Sequence, residues 1–154
     1  MVARITTFSF EGIEAKPVDV QIHMAGGNQP AFTIVGLPDK AVAESRERVR
    51  AAFSAIGLAL PPKRITVNLA PADLPKEGSH YDLGIALGVM AVMGIFSADS
   101  LDGHAALGEL SLDGQLGPTL GPLPAAIKAL DMDLRLICPD VCGPEAAWAG
   151  EGNL

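Results

Sequence analysis

Arg46, Arg48, Arg50, Lys63 and Arg64 form the one concentration of cations in the chain. Side chains of this kind neutralise phosphates or pair with carboxylates. At 100° per residue Arg46 and Arg50 share one side of a helix, whereas Arg48 points to the far side, where Glu44 four residues earlier can pair with it. Arg46, Arg50, Lys63 and Arg64 are therefore the candidate contact residues for DNA or for a neighbouring subunit. A salt-bridged helix surface would use the same residues. Ser79, His80 and Asp82 contain the atoms of a nucleophile, a base and an orienting acid. Triad members converge from separate chain segments, however, and residues this close together rarely align. The spacing is better read as helix capping, with Ser79 as N-cap and Asp82 three residues on.

Nucleotide and metal chemistry find little support. A P-loop places glycine directly before its lysine, and none of Lys16, Lys40, Lys63, Lys76 or Lys128 follows a glycine. No G-x-G-x-x-G occurs. Cys138 and Cys142 form a lone C-x3-C, whereas a structural zinc site takes four ligands, and His23, His80 and His104 show no matching spacing. The expectation is a chain with no catalytic, cofactor-binding or metal residues, its two cysteines acting as small apolar side chains.

The elements that must position these residues follow from periodicity. Val2–Phe10 and Pro17–Met24 read as strands around a turn at Glu11–Gly12, with Val18, Val20 and Ile22 alternating against polar residues. Ala31–Val35 is a third strand. A helix follows from Asp39, its expected N-cap, to a stop at Gly57, with Val42, Val49, Phe53 and Ile56 within about 60° of one another. Lys63–Leu69 is a strand. Asp82–Gly94 is apolar on every side, as in a helix buried through most of its surface. Ala105–Leu110 and Leu134–Cys138 read as strands, with a short return strand at Gln115–Leu116 after the Gly114 turn. Leu123–Leu130 and Pro144–Ala149 read as helices. Hairpin and βα units together imply an α+β fold, a mixed sheet with packed helices.

Composition sets the outer limits. The chain has 154 residues, 49% hydrophobic and 19% charged, enough for one domain with its own core. The net charge is −7, a poor match to a protein working alone on nucleic acid. That charge is uneven. Residues 1–64 hold eight basic and six acidic residues, a net of +2, and residues 65–154 hold three basic and twelve acidic, a net of −9. The longest apolar run, Leu83–Phe96, is fourteen residues, against roughly 20 for a membrane span. Residues 1–10 lack a long apolar segment. No membrane association is expected, and the reading is a cytoplasmic protein with reduced thiols.

Three stretches are long and specific. The first is Phe32–Ala52 (FTIVGLPDKAVAESRERVRAA). The second is Ile65–Ser79 (ITVNLAPADLPKEGS), continued by Tyr81-Asp82-Leu83 and Ile85-Ala86-Leu87-Gly88. The third is Leu107–Gly114 (LGELSLDG), followed by Leu123-Pro124-Ala125-Ala126. Together, and in this order, they resemble the amino-terminal region of the YifB/ComM family of magnesium-chelatase-like AAA+ ATPases. The resemblance implies a fold similar to the second domain of ribosomal protein S5 and to the proteolytic domain of Lon. It implies that residues 1–154 are a single amino-terminal domain of a longer protein, whose AAA+ module, absent from this chain, holds ATP and Mg. It further implies a homo-oligomer, a hexamer in ComM members, that drives DNA branch migration during natural transformation. This domain would then be a non-catalytic accessory unit, with its own AAA+ module as partner and DNA as a possible second one.

The similarity to Lon brings an alternative, a serine hydrolase with a Ser–Lys dyad. Lon has a G-P-S-A-G-like stretch after a K-D-G-like one. Here Lys76-Glu77-Gly78 is followed by Ser79-His80-Tyr81, so His80 takes the nucleophile position and Ser79 stands one residue early. Residues 117–127 contain no lysine, and Lys128 is displaced by half a turn or more from the place of Lon's lysine. A purely structural spacer is a further alternative. Relatives also tend to carry arginines in a stretch like L-R-P-V-R-G-V-L-P, where this chain has Leu116–Pro124 (LGPTLGPLP). If arginines at 117 and 120 touch DNA or a neighbouring subunit in relatives, that contact is missing or relocated here.

Overall fold

The computed structural model describes residues 1–150. Strands β1 (Val2–Glu11) and β2 (Glu14–Ala25) pair antiparallel over their full length, from Val2 opposite His23 to Glu11 opposite Glu14. Gly12 and Ile13 make the turn, and the φ of +59° at Gly12 suits the tight hairpin. Strand β3 (Ala31–Val35), helix α1 (Asp39–Ala55), strand β4 (Arg64–Ala70) and helix α2 (Asp82–Val92) follow. Then come β5 (His104–Ala106), β6 (Glu109–Leu110), β7 (Leu116–Gly117), α3 (Pro122–Asp131), β8 (Arg135–Ile137) and the single turn α4 (Gly143–Ala146). The main sheet has the order β3-β4-β2-β1-β5-β8. β2 runs antiparallel to both of its neighbours, β1 and β4, and the two flanks are parallel, β3 with β4 on one side and β5 and β8 with β1 on the other. The α+β expectation, a mixed sheet with packed helices, agrees with this.

Period two divides the sheet between two cores. Ala3, Ile5, Val18, Val20, Ile22, Ile65, Val67 and Leu69 pack under α1 and α2. Phe8, Ala15, Ala105 and Leu136 pack on the opposite face against Ala125, Ala126 and Ala129 of α3. α2 lies close to the sheet because it presents glycine there: a Cβ at Gly88 would fall 1.9 Å from Ile22 Cδ1. Beyond α3 the second face is open and polar. Gln21 donates to Asp19 at 2.8 Å, Asn68 donates to Gln21 at 3.2 Å, and Arg4 pairs with Asp19.

Several expected boundaries shift for physical reasons. α1 ends as expected, with Gly57 at φ +82°, Gly57 N–H donating to Ser54 and Leu58 N–H to Phe53 at 2.8 Å. Its N-cap is Pro38, and Asp39 is the first helical residue with no capping hydrogen bond. Likewise Tyr81, not Ser79, precedes α2, and Asp82 is its first residue. The expected strand Ala105–Leu110 is split. Gly108 N–H donates to His80 O and Gly108 O accepts from Leu83 N–H, both at 3.0 Å, which pulls the chain from the main sheet into the separate β6–β7 hairpin. The last expected helix is only α4 followed by a 3-10 turn over 147–149.

Candidate functional surfaces

Parallel pairing of β3 with β4 brings the expected contact residues together. Arg46 Nη1 donates to Phe32 O at 3.3 Å. The Arg50 guanidinium lies 5.7 Å from the centre of the Phe32 ring, a cation–π contact. The Lys63 carbonyl accepts from Ala31 N–H, and Arg64 stands opposite Ala31 in register. All four therefore surround the first two residues of the edge strand. Arg50, Phe32, Pro61, Pro62 and Lys63 line a hollow of about 380 Å3. Arg46 also covers an edge carbonyl, which blunts the strand against pairing with another chain. Among the described residues none of the four is paired with a carboxylate.

Arg48 lies on the far side of α1 from Arg46 and Arg50, and its main partner is not the expected Glu44. It reaches Glu44 only at 4.0 Å and instead binds Asp82, with Nε to Oδ2 at 2.5 Å and Nη2 to Oδ1 at 3.1 Å. Ser45 Oγ donates to the same carboxylate at 2.8 Å and Leu110 N–H at 3.1 Å. The hydrogen bond to Asp82 raises the Arg48 pKa further above its ordinary value. Asp82 thus joins α1, α2 and β6, and its capping role is replaced by this long-range one. A spacing argument finds only local partners, so it missed the link.

The Ser79 region forms a cleft of about 540 Å3, lined in part by Phe10, Ser79, His80, Thr119 and Leu120. The basic groups near Ser79 are engaged elsewhere. His80 Nε2 lies 2.6 Å from Phe8 O, and because a carbonyl only accepts, Nε2 is a protonated, donating nitrogen. Lys76 Nζ donates to Pro71 O at 2.7 Å and Leu74 O at 3.0 Å. Lys128 is on α3 and pairs with Asp131 at 3.8 Å. Among the described residues no base is hydrogen-bonded to the Ser79 hydroxyl.

Burial lowers the pKa of His80, outweighing the Phe8 carbonyl and the Asp82 charge, which raise it. The unfolded chain therefore binds a proton at a pH where the folded one does not. Stability from this group is complete above the ordinary histidine pKa of about 6.5 and is lost as pH falls through the lower folded value. Urea midpoints should drop between pH 7.5 and pH 5.5, and His80→Gln should reduce that drop. An equal drop in both proteins would exclude His80 as the cause.

Cys142 is buried and Cys138 half-buried, both as free thiols. Burial pushes the Cys138 pKa up, away from reactivity. Among the described residues no group of three or more His, Cys, Asp or Glu side chains is placed to hold a metal ion. No helix among them is long and apolar enough to cross a membrane.

The fold and its surfaces define an α+β domain on a mixed sheet with a cationic strand edge. Residues 20–141 match the family model described as subunit ChlI of Mg-chelatase, and the chain belongs to that family. It is 42% identical over 142 residues to competence protein ComM of Haemophilus influenzae, covering 92% of this chain and 28% of that protein. It is 43% identical over 126 residues to the uncharacterized protein YifB of Escherichia coli, covering 82% of this chain and 25% of the relative. An uncharacterized protein of Mycobacterium tuberculosis is 40% identical over the same length, with the same 82% and 25% coverage. The chain is thus homologous to Mg-chelatase-like AAA+ proteins of the ComM and YifB type and spans about a quarter of the length of these curated relatives.

Proposed function

We propose that this domain is a non-catalytic accessory unit of a Mg-chelatase-like AAA+ protein, serving subunit assembly and guiding DNA. The observation that carries the reading is the group Arg46, Arg50, Lys63 and Arg64 around the start of β3, with no carboxylate partner among the described residues. Cations left unpaired on a surface of an acidic chain are available to phosphates or to a neighbouring subunit's carboxylates. In this reading ATP and Mg are held by the AAA+ portion, the assembly is a hexamer, and the whole protein drives branch migration of DNA. The name of the Haemophilus relative, a competence protein, fits that process.

The test uses full-length protein and labelled branched DNA, with anisotropy measured across a salt series. Phosphate contacts make binding weaken steeply with salt, and each lost contact lowers the slope by about one. The Arg50→Glu, Lys63→Glu double variant is expected to bind more weakly and to lose about two from the slope. If affinity, slope and hexamer formation all match the parent, the surface serves neither DNA nor assembly.

A further inference from the structure

Helix α3 carries two apolar faces. Ala125, Ala126 and Ala129 enter the core, while Leu123, Ile127 and Leu130 fall within about 60° of one another on another side. Ile127 is 54% exposed and Leu130 about half. A groove of about 610 Å3 joins Leu123 and Ile127 to Ile13 at the tip of the β1–β2 hairpin. Ile13 is 92% exposed, in a turn that usually takes asparagine or glycine. Trp148, 84% exposed, belongs to the 147–149 turn packed against the same helix. An apolar groove rimmed by charged side chains is the form a binding face takes. Its charges are Glu14 and the Lys128–Asp131 pair, which give phosphates nothing to bind.

Two observations say what covers it. Gly150, the last described residue, lies beside this surface, since a Cβ there would fall 3.3 Å from Leu130 Cδ2. The relatives are far longer, this chain matching only 25–28% of their length. We propose that the groove between Ile13 and α3 is the docking surface for the AAA+ portion of the same polypeptide. This rests on the accessory-domain reading and assigns it a face, on the opposite side of the sheet from α1 and its arginines.

The experiment places a photo-cross-linking residue, Ile127→p-benzoylphenylalanine, in the full-length protein. The expected product keeps the monomer mass and joins position 127 to a peptide outside residues 1–154. Leu130→Glu beside the probe should abolish it. A product of doubled mass, meaning a second copy covers the groove, or no product at all, would overturn the proposal. The same probe at Lys63 separates the two claims. If only the Lys63 probe reaches the AAA+ portion, the face is wrong and the accessory reading stands; if neither does, both fail.

Discussion

Replacing Arg48 with methionine is expected to cost about 3–5 kcal/mol, the range seen when one partner of a buried ion pair is removed. Asp82 is 1% exposed, and its carboxylate would be left with two neutral donors, Ser45 Oγ and Leu110 N–H, and no counter-charge. The reverse change, Asp82→Leu, should cost less, because the Arg48 side chain is 21% exposed and can turn toward water and Glu44. The double variant should cost less than the two single changes together, since the stranded charge is then gone. For a domain of this size each kcal/mol corresponds to about 2–4 °C, so Arg48→Met should lower the melting temperature by about 6–20 °C. Equal losses in the two single variants, or strict additivity, would show that the pair is not the joint between α1, α2 and β6.

The elements whose patterns are local were legible in the sequence. Val18, Val20 and Ile22 show period two and form a strand with one face in the core. Gly57 ends α1 because its left-handed φ allows the closing Leu58-to-Phe53 hydrogen bond. What depends on distant partners was not legible. The chain leaves the main sheet after Ala106 because Gly108 binds the backbone of His80 and Leu83, residues some 25 positions away. Asp82 looked like a capping acid because only its neighbours are visible in sequence, whereas its donors come from residues 45, 48 and 110. The cationic surface lies between these cases. Its residues could be picked out by type, but their convergence on Ala31 and Phe32 follows from α1 packing on β3 and from β3 pairing parallel to β4, which no spacing encodes.

Gly36→Ala is expected to destabilise the domain by about 2–5 kcal/mol, combining two penalties at one position. Gly36 has a φ of +104° at the end of β3, and placing a side chain in the left-handed region costs about 1–2 kcal/mol. A Cβ there would also fall 2.5 Å from Leu69 O and 3.2 Å from Leu69 C, and relieving such a clash costs about 1–3 kcal/mol. Leu69 cannot retreat, because β4 is held between β2 and β3 and its side chain is fully buried. Gly57→Ala is the control, since φ is +82° but the added Cβ meets nothing within 4 Å. It should carry only the conformational cost. Unfolding free energies of the two variants therefore separate backbone strain from steric contact, and equal values would mean that β3 shifts freely at this edge. In that case the Phe32 anchor that gathers Arg46 and Arg50 would loosen too, and Gly36→Ala would then weaken any contact those arginines make even under conditions where the domain stays folded.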